Sequence, residues 1–245
     1  MATIKELLDY GLEQLAGSGN EYAKYERKAL LEHVLSVNYM YMIMNGDEKV
    51  ADDKEALYKS LIEKRCTHYP LQYLLHYVHF MDYAFIVNEN VLIPRSDTEI
   101  LVETVNDLYN DIRTTLSLGS LKLLDLCCGS GCIGISLKLY HKDIELTLSD
   151  VSDAALDVAE MNAEKYEIKD YILLQKIGAK KHAALCSDSD GFDFCRSVFP
   201  EIDDIIFTNK NKFVRLYFFI FHHFDFIAQV LIFTWKKIRG EKDAC

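Results

Sequence analysis

Apolar positions recur with a helical period up to about residue 75, and each run of them is one-sided. Thr3-Ile-Lys-Glu6 reads as a capping box, in which Thr3 accepts from the amide near Glu6 and Glu6 reaches back. Ile4, Leu7, Leu8, Leu12 and Leu15 then share a face until Gly17 and Gly19 stop the helix. A second helix is predicted over about 21–37, with Leu30, Leu31, Val34 and Leu35 inward. A third, over 52–65, carries Leu57, Leu61 and Ile62. Short one-sided helices hold only by packing on each other, so residues 1–78 are expected to form a small bundle.

From residue 80 to residue 92 the period becomes strand-like. Phe85, Val87 and Val91 alternate with polar or turn residues, and Asn88-Glu-Asn90 is the predicted turn of a hairpin. Pro94 breaks the pattern before a helix from about Asp97, so 79–118 reads as hairpin and linker helix. Further on, short apolar runs at 121–126, 144–148, 171–174 and 204–207 read as strands, with a helical pattern at 153–165. Strands alternating with helices imply an α/β fold: a parallel sheet over 119–209 with helices on both faces.

Composition narrows the class. Half the residues are apolar, enough to bury a core, and the net charge of −11 argues against a non-specific grip on a nucleic-acid backbone. The seven cysteines form no CxxC pair, and their odd number fits reduced thiols in the cytoplasm. The N-terminus lacks the basic and apolar regions of a secretory signal. Residues 213–235 look membrane-like, but Arg215, His222, His223, Asp225 and Gln229 interrupt them. An Arg or Asp in mid-membrane costs about 2.5–3.5 kcal/mol, so no membrane span is expected.

One segment stands out chemically. Leu124-Asp125-Leu-Cys127-Cys128-Gly129-Ser-Gly131-Cys132-Ile-Gly134 takes a strand end through a loop of little side-chain bulk into a helix start. Glycines there let a ligand approach the backbone, and the helix start offers free amides. Gly129, Gly131 and Gly134 also spell the dinucleotide fingerprint, with Asp150 ending the next strand. Three readings stand: a bare turn, a dinucleotide site and a methyl-donor site. Asp125 favours the last, because a carboxylate beside the loop suits the cationic methionine part of S-adenosylmethionine better than a pyrophosphate. Cys127, Cys128 and Cys132 lack zinc-site spacing, and His222-His223 would point to opposite strand faces, so no metal is expected.

Over about residues 25–165 the chain resembles the HemK-type release-factor glutamine methyltransferases. The cofactor loop carries part of the likeness, with Cys127 standing where that family has glycine, and Asp150-Val-Ser152 with Asn162 carries more. More specific are Pro70-Leu-Gln72-Tyr73, Phe80, Phe85-Ile-Val87 and Val91-Leu-Ile-Pro94-Arg95-Ser-Asp97-Thr98-Glu99. The resemblance implies a Rossmann-like class I methyltransferase domain, incomplete at its C-terminal end, with the 92–99 linker beside its cofactor pocket. It implies S-adenosylmethionine held by Asp125, Gly129, Gly131 and Asp150, and Asn209 orienting the substrate amide. It further implies a release factor recognised by residues 1–78, and a monomer serving translation termination. By residue type alone, Arg95, Asp97 and Glu99 are a solvated helix start.

The chain also departs from the family. The substrate motif Asn-Pro-Pro-Tyr binds both N–H groups of the glutamine amide, through the Asn oxygen and the first Pro carbonyl, and so orients a poor nucleophile. Here Asn209 is followed by Lys210-Asn211-Lys212-Phe213, without the prolines or the tyrosine. No Gly-Asp pair follows the third strand, so no adenine contact is assigned. Residues 210–245 are dense in Phe and Tyr and are expected to be unrelated translated sequence, from a frameshift or a retained intron. Weak or absent transfer is therefore expected. The alternatives are a catalytically dead module that binds release factor or cofactor, and an adenine N6-methyltransferase of nucleic acid.

Overall fold

The computed structural model describes residues 1–116 and 122–176, without the side chains of 111–116 and 175. The chain divides into two compact units, Met1–Val78 and His79–Cys245.

The first unit is helical: α1 (Ile4–Gly17), α2 (Ala23–Leu35), α3 (Tyr39–Met44), α4 (Asp52–Cys66) and α5 (Leu71–Leu75). The capping box forms at the start of α1, with the Glu6 amide donating to Thr3 Oγ1 at 3.2 Å and the Thr3 amide to Glu6 Oε2 at 2.8 Å. Helices α1, α2 and α4 pack against each other around Leu7, Leu15, Leu30, Leu31, Tyr58 and Ile62. Leu57 does not join this core. It is half-exposed, and Tyr58 and Ile62 face inward instead. Gly11 permits the crossing of α1 and α4, since a Cβ there would stand 2.1 Å from the Tyr58 hydroxyl. Inside the unit Glu26 is buried and meets Arg65 through Nε at 2.7 Å and Nη2 at 3.0 Å.

The second unit opens with a hairpin, β1 (Tyr77–Phe80) and β2 (Tyr83–Ile86); the division between units falls inside β1. This corrects the predicted hairpin. The turn is at Met81-Asp82, with Met81 at φ 52°, and it lets Phe80 and Phe85 bury together edge-on, 6.1 Å apart. Asn88–Val91 does fold as a turn, the Val91 amide donating to the Asn88 carbonyl at 3.2 Å, but it leads into an extended segment instead of a strand. Helix α6 (Glu99–Leu116) follows a single 3₁₀ turn, Ser96–Thr98.

Strands β3 (Lys122–Leu126), β4 (Glu145–Asp150) and β5 (Ile172–Lys176) form a parallel sheet in that order, with Leu124 opposite Thr147 and Leu148 opposite Leu174. The crossovers are α7 (Cys132–Tyr140) and α8 (Asp153–Lys165), and both pack on β4 and on each other. These two described crossovers therefore share one face of the sheet. Successive right-handed crossovers advancing the same way along a sheet put their helices on the same side. The predicted strand 204–207 lies outside the described residues, as does the segment 213–235. No helix among the described residues is long and apolar enough to cross a membrane.

Candidate functional site

The loop between β3 and α7 is folded by its backbone first. Cys127, Gly129 and Gly131 have φ values of 61°, 54° and 74°. Glycine adopts this left-handed region freely, and a residue with a Cβ pays about 1–2 kcal/mol to do so. Cys127 therefore carries a cost that a glycine at this position would not. Gly134 serves a different purpose, close packing: a Cβ there would lie 2.7 Å from Leu148 Cδ2 and 3.0 Å from Leu146 Cδ1. Its absence lets α7 lie against β4.

Two carboxylates hold this loop. Asp125 is 1% exposed, and its Oδ2 accepts the Gly134 amide at 2.9 Å, at the first turn of α7. Burial pushes its pKa up to about 7, the Gly134 N–H opposes that, and the charge of Asp150 adds to it. Asp150, at the end of β4, accepts the Gly129 amide on Oδ2 and the Ser152 amide on Oδ1, both at 3.0 Å. Asp125, expected beside a ligand, is thus enclosed, and its contact is with the helix start.

A third polar group ties the loop to the hairpin. Asn162 is fully buried on α8; its Oδ1 accepts the Ile86 amide at 2.7 Å, and its Nδ2 donates to the carbonyls of Ile86 at 3.0 Å and Ser130 at 2.9 Å. One amide side chain thereby pairs with the end of β2 as a strand would, and also reaches the glycine loop. Tyr166 continues the join, its hydroxyl accepting from the Ala84 amide and donating to the Ala84 carbonyl, both at 2.8 Å. Glu99 fixes the hairpin turn by accepting the Met81 amide at 2.6 Å.

Between these two anchored segments lies a cavity of about 240 Å³. Residues 92–95, 97 and 98 line one side, and residues 128–130 and 132 the other. Of the residues expected at the site, Gly129 lines the cavity; Gly131 belongs to the loop but not to the cavity lining, and Asp125 and Asp150 hold the loop through the Gly134 and Gly129 amides. Asn209 lies outside the described residues. Sequence reasoning places Asn162 in the resemblance but gives it no role at the site; the signal for that role is a polar residue among Ala155, Val158, Ala159 and Ala163 on the buried face of α8.

Cys128 and Cys132 are not reactive thiolates. Burial pushes Cys132 up to about 12 and Cys128 well above the usual thiol range. Among the described residues no group of three or more His, Cys, Asp or Glu is placed to hold a metal ion.

Two family models match the chain: the PrmC N-terminal domain over residues 6–75 and the methyltransferase small domain over residues 97–184. A release factor glutamine methyltransferase of Leptospira interrogans is 38% identical over 160 residues, covering 65% of this chain and 51% of that protein. One of Mycoplasma mycoides is 29% identical over 248 residues, covering 86% and 85%. A bifunctional methyltransferase of Rickettsia conorii is 33% identical over 188 residues, covering 69% and 36%. The chain thus spans between about a third and a half of the length of the first two curated relatives it matches.

Proposed function

We propose that this chain, which belongs to the HemK-type release-factor glutamine methyltransferase family, binds S-adenosylmethionine at the glycine loop and methylates a release-factor glutamine slowly. The observation that carries the donor half is the placement of Asp125 and Asp150 on the amides of Gly134 and Gly129. A pyrophosphate would seek those amides and be repelled by the two carboxylates; a ligand bearing sulfonium and ammonium charges is not. Asp150 has used one acceptor site on each oxygen, which leaves one on each for ribose hydroxyls.

Bound S-adenosylmethionine supplies an electrophilic methyl group on a sulfonium. Asn209 would accept one N–H of the glutamine amide and so orient its nitrogen toward that methyl. Lys210 stands where a proline-fixed carbonyl would take the second N–H, so orientation is incomplete. Losing one positioned electrostatic partner costs about 10²–10³ in rate. Residues 1–78 would recognise the release factor, with the chain acting as a monomer in the cytoplasm.

The test is calorimetry with S-adenosylmethionine and NADH, followed by radiolabelled methyl transfer to purified release factor, DNA and RNA. We expect the methyl donor to bind, NADH not to bind, and label to enter release factor far below about 1 s⁻¹, the low end of ordinary enzymes. Preference for NADH would replace this reading with dinucleotide binding, and label in nucleic acid would replace the substrate. Donor binding with no transfer at all would leave a binding module. Turnover near about 1 s⁻¹ would show that Lys210 and its neighbours form a working substitute.

A further inference from the structure

The segment 92–98, which lines one side of the cavity, is tied to the hairpin at both ends. Its leading end follows β2 through the buried Val87 and the turn in which the Val91 amide donates to the Asn88 carbonyl at 3.2 Å. Val91 is buried as well, so this short path carries the position of Ile86 on to Leu92. Its trailing end enters α6, where Glu99 accepts the Met81 amide of the hairpin turn at 2.6 Å. The facing side of the cavity is the glycine loop and the start of α7. The gap between the two sides is therefore set by the gap between hairpin and loop.

Asn162 spans that gap with one rigid group. A carboxamide is planar and offers an acceptor oxygen and two N–H donors, so partners at both ends are fixed in direction and in distance. Its Oδ1 and Nδ2 take both backbone groups of Ile86, and Nδ2 also donates to the carbonyl of Ser130, a residue of the cavity lining. The group stands on the buried face of α8, which packs on β4, β5 and α7. Aspartate has no donors for the two carbonyls, and leucine of the same size pairs with none of the three partners. We propose that Asn162 is a positioning residue of the donor site: its carboxamide sets the gap between the glycine loop and the hairpin-borne segment 92–98, and so couples donor affinity to the hairpin. The role rests on the methyl-donor reading above. Coupling is reciprocal, so a donor held at the loop must in turn tighten Ile86, which is not part of the cavity lining.

Two variants of the full chain separate affinity from stability. Asn162→Ala removes all three bonds. Lys138→Met is the control, since Lys138 is buried near the far end of α7 and donates to the carbonyls of Lys142 and Ile144, both at 2.6 Å. Both variants should melt below the wild type. In calorimetry well below the melting temperatures, Asn162→Ala is expected to weaken S-adenosylmethionine about tenfold, the weight of one hydrogen bond, and Lys138→Met by less than about twofold. Donor affinity within about twofold of the wild type in Asn162→Ala would reduce Asn162 to a fold residue and overturn the proposal. Equal weakening in the two variants would mark a general loosening and overturn it too. Hydrogen exchange on the wild type decides the matter even if Asn162→Ala does not fold. Saturating S-adenosylmethionine is expected to slow the Ile86 amide at least about fivefold more than the Ile144 amide, which donates to the His141 carbonyl at 3.1 Å. Equal slowing at the two amides would overturn the coupling while leaving donor binding intact. A wild-type chain that binds no S-adenosylmethionine would remove the donor reading, and the role of Asn162 with it.

Discussion

Two carboxylates are buried to nearly the same degree, Glu26 in the helical unit at 5% exposure and Asp125 in the α/β unit at 1%, and they are held in opposite ways. Glu26 meets the Arg65 guanidinium through two nitrogens and the Asn20 amide at 2.6 Å, so its charge is neutralised in place. Asp125 meets no cation among the described residues; its bond is to the Gly134 amide, and its pKa rises to about 7. Nearby, Cys127 keeps a positive φ that glycine would adopt at no cost. The helical unit satisfies its buried carboxylate with a side chain far away in the chain, and it shows no comparable strain there. The glycine loop concentrates an unpaired buried acid and a strained residue within a few positions. Such strain gathers where backbone must be presented to a ligand.

The largest effect expected from breaking this comparison lies in the helical unit. Arg65→Met leaves the Glu26 carboxylate buried with only Asn20 beside it, and removing one partner of a buried pair costs about 3–5 kcal/mol. Combining it with Glu26→Met should recover most of that loss, because the pair then becomes apolar. Denaturant unfolding of the single and double variants measures both. A loss below about 1 kcal/mol for Arg65→Met would mean the pair behaves as a surface contact.

Asp125→Asn has a smaller effect, and it depends on pH. The folded pKa of about 7 lies above the unfolded value of 3.8, so between these limits the folded chain binds the proton that the unfolded chain has lost. Stability attributable to Asp125 is therefore complete below about pH 4 and falls as the pH rises through 7. Asparagine keeps an acceptor for Gly134 and has no charge to bury. We expect the variant to match the wild type near pH 4.5 and to exceed it by roughly 1–3 kcal/mol at pH 8. Parallel unfolding curves across that range would show that Asp125 is not the acid that titrates.

The same contrast explains what was legible in the sequence. Helix α8 is readable at both ends, because Ser152 caps it by accepting the Ala155 amide and its apolar positions keep a clean period. The capping box of α1 is readable because both partners lie within four residues. Helix α3 is not, since Tyr39, Met40, Ile43 and Met44 face outward and give its apolar residues no inward stripe. The hairpin turn is misplaced because Met81 sits at positive φ without belonging to the residue types that signal turns, while Asn88 and Asn90 do. At the site, the glycine loop is legible as motif. The enclosure of Asp125 and the reach of Asn162 to Ile86 depend on contacts that only the folded sheet and helices create.

The smallest expected effect is a gain, and it tests whether the strain in the loop is real. Cys127 at φ 61° carries the cost of a Cβ in the left-handed region, about 1–2 kcal/mol. Replacing it with glycine removes that cost and adds roughly 0.5–1 kcal/mol of backbone entropy to be lost on folding. The balance for Cys127→Gly is a stabilisation of about 0.5–1 kcal/mol, or roughly 1–4 °C in melting temperature for a domain of this size. Cys128 supplies the control, since it is 4% exposed, its amide donates to the Ser149 carbonyl at 3.0 Å, and its φ is not positive. Cys128→Gly should therefore lower the melting temperature through lost packing and added entropy. If both glycine variants melt below the wild type, the Cys127 side chain contributes packing that outweighs its strain, and the loop is less frustrated than its backbone angles imply.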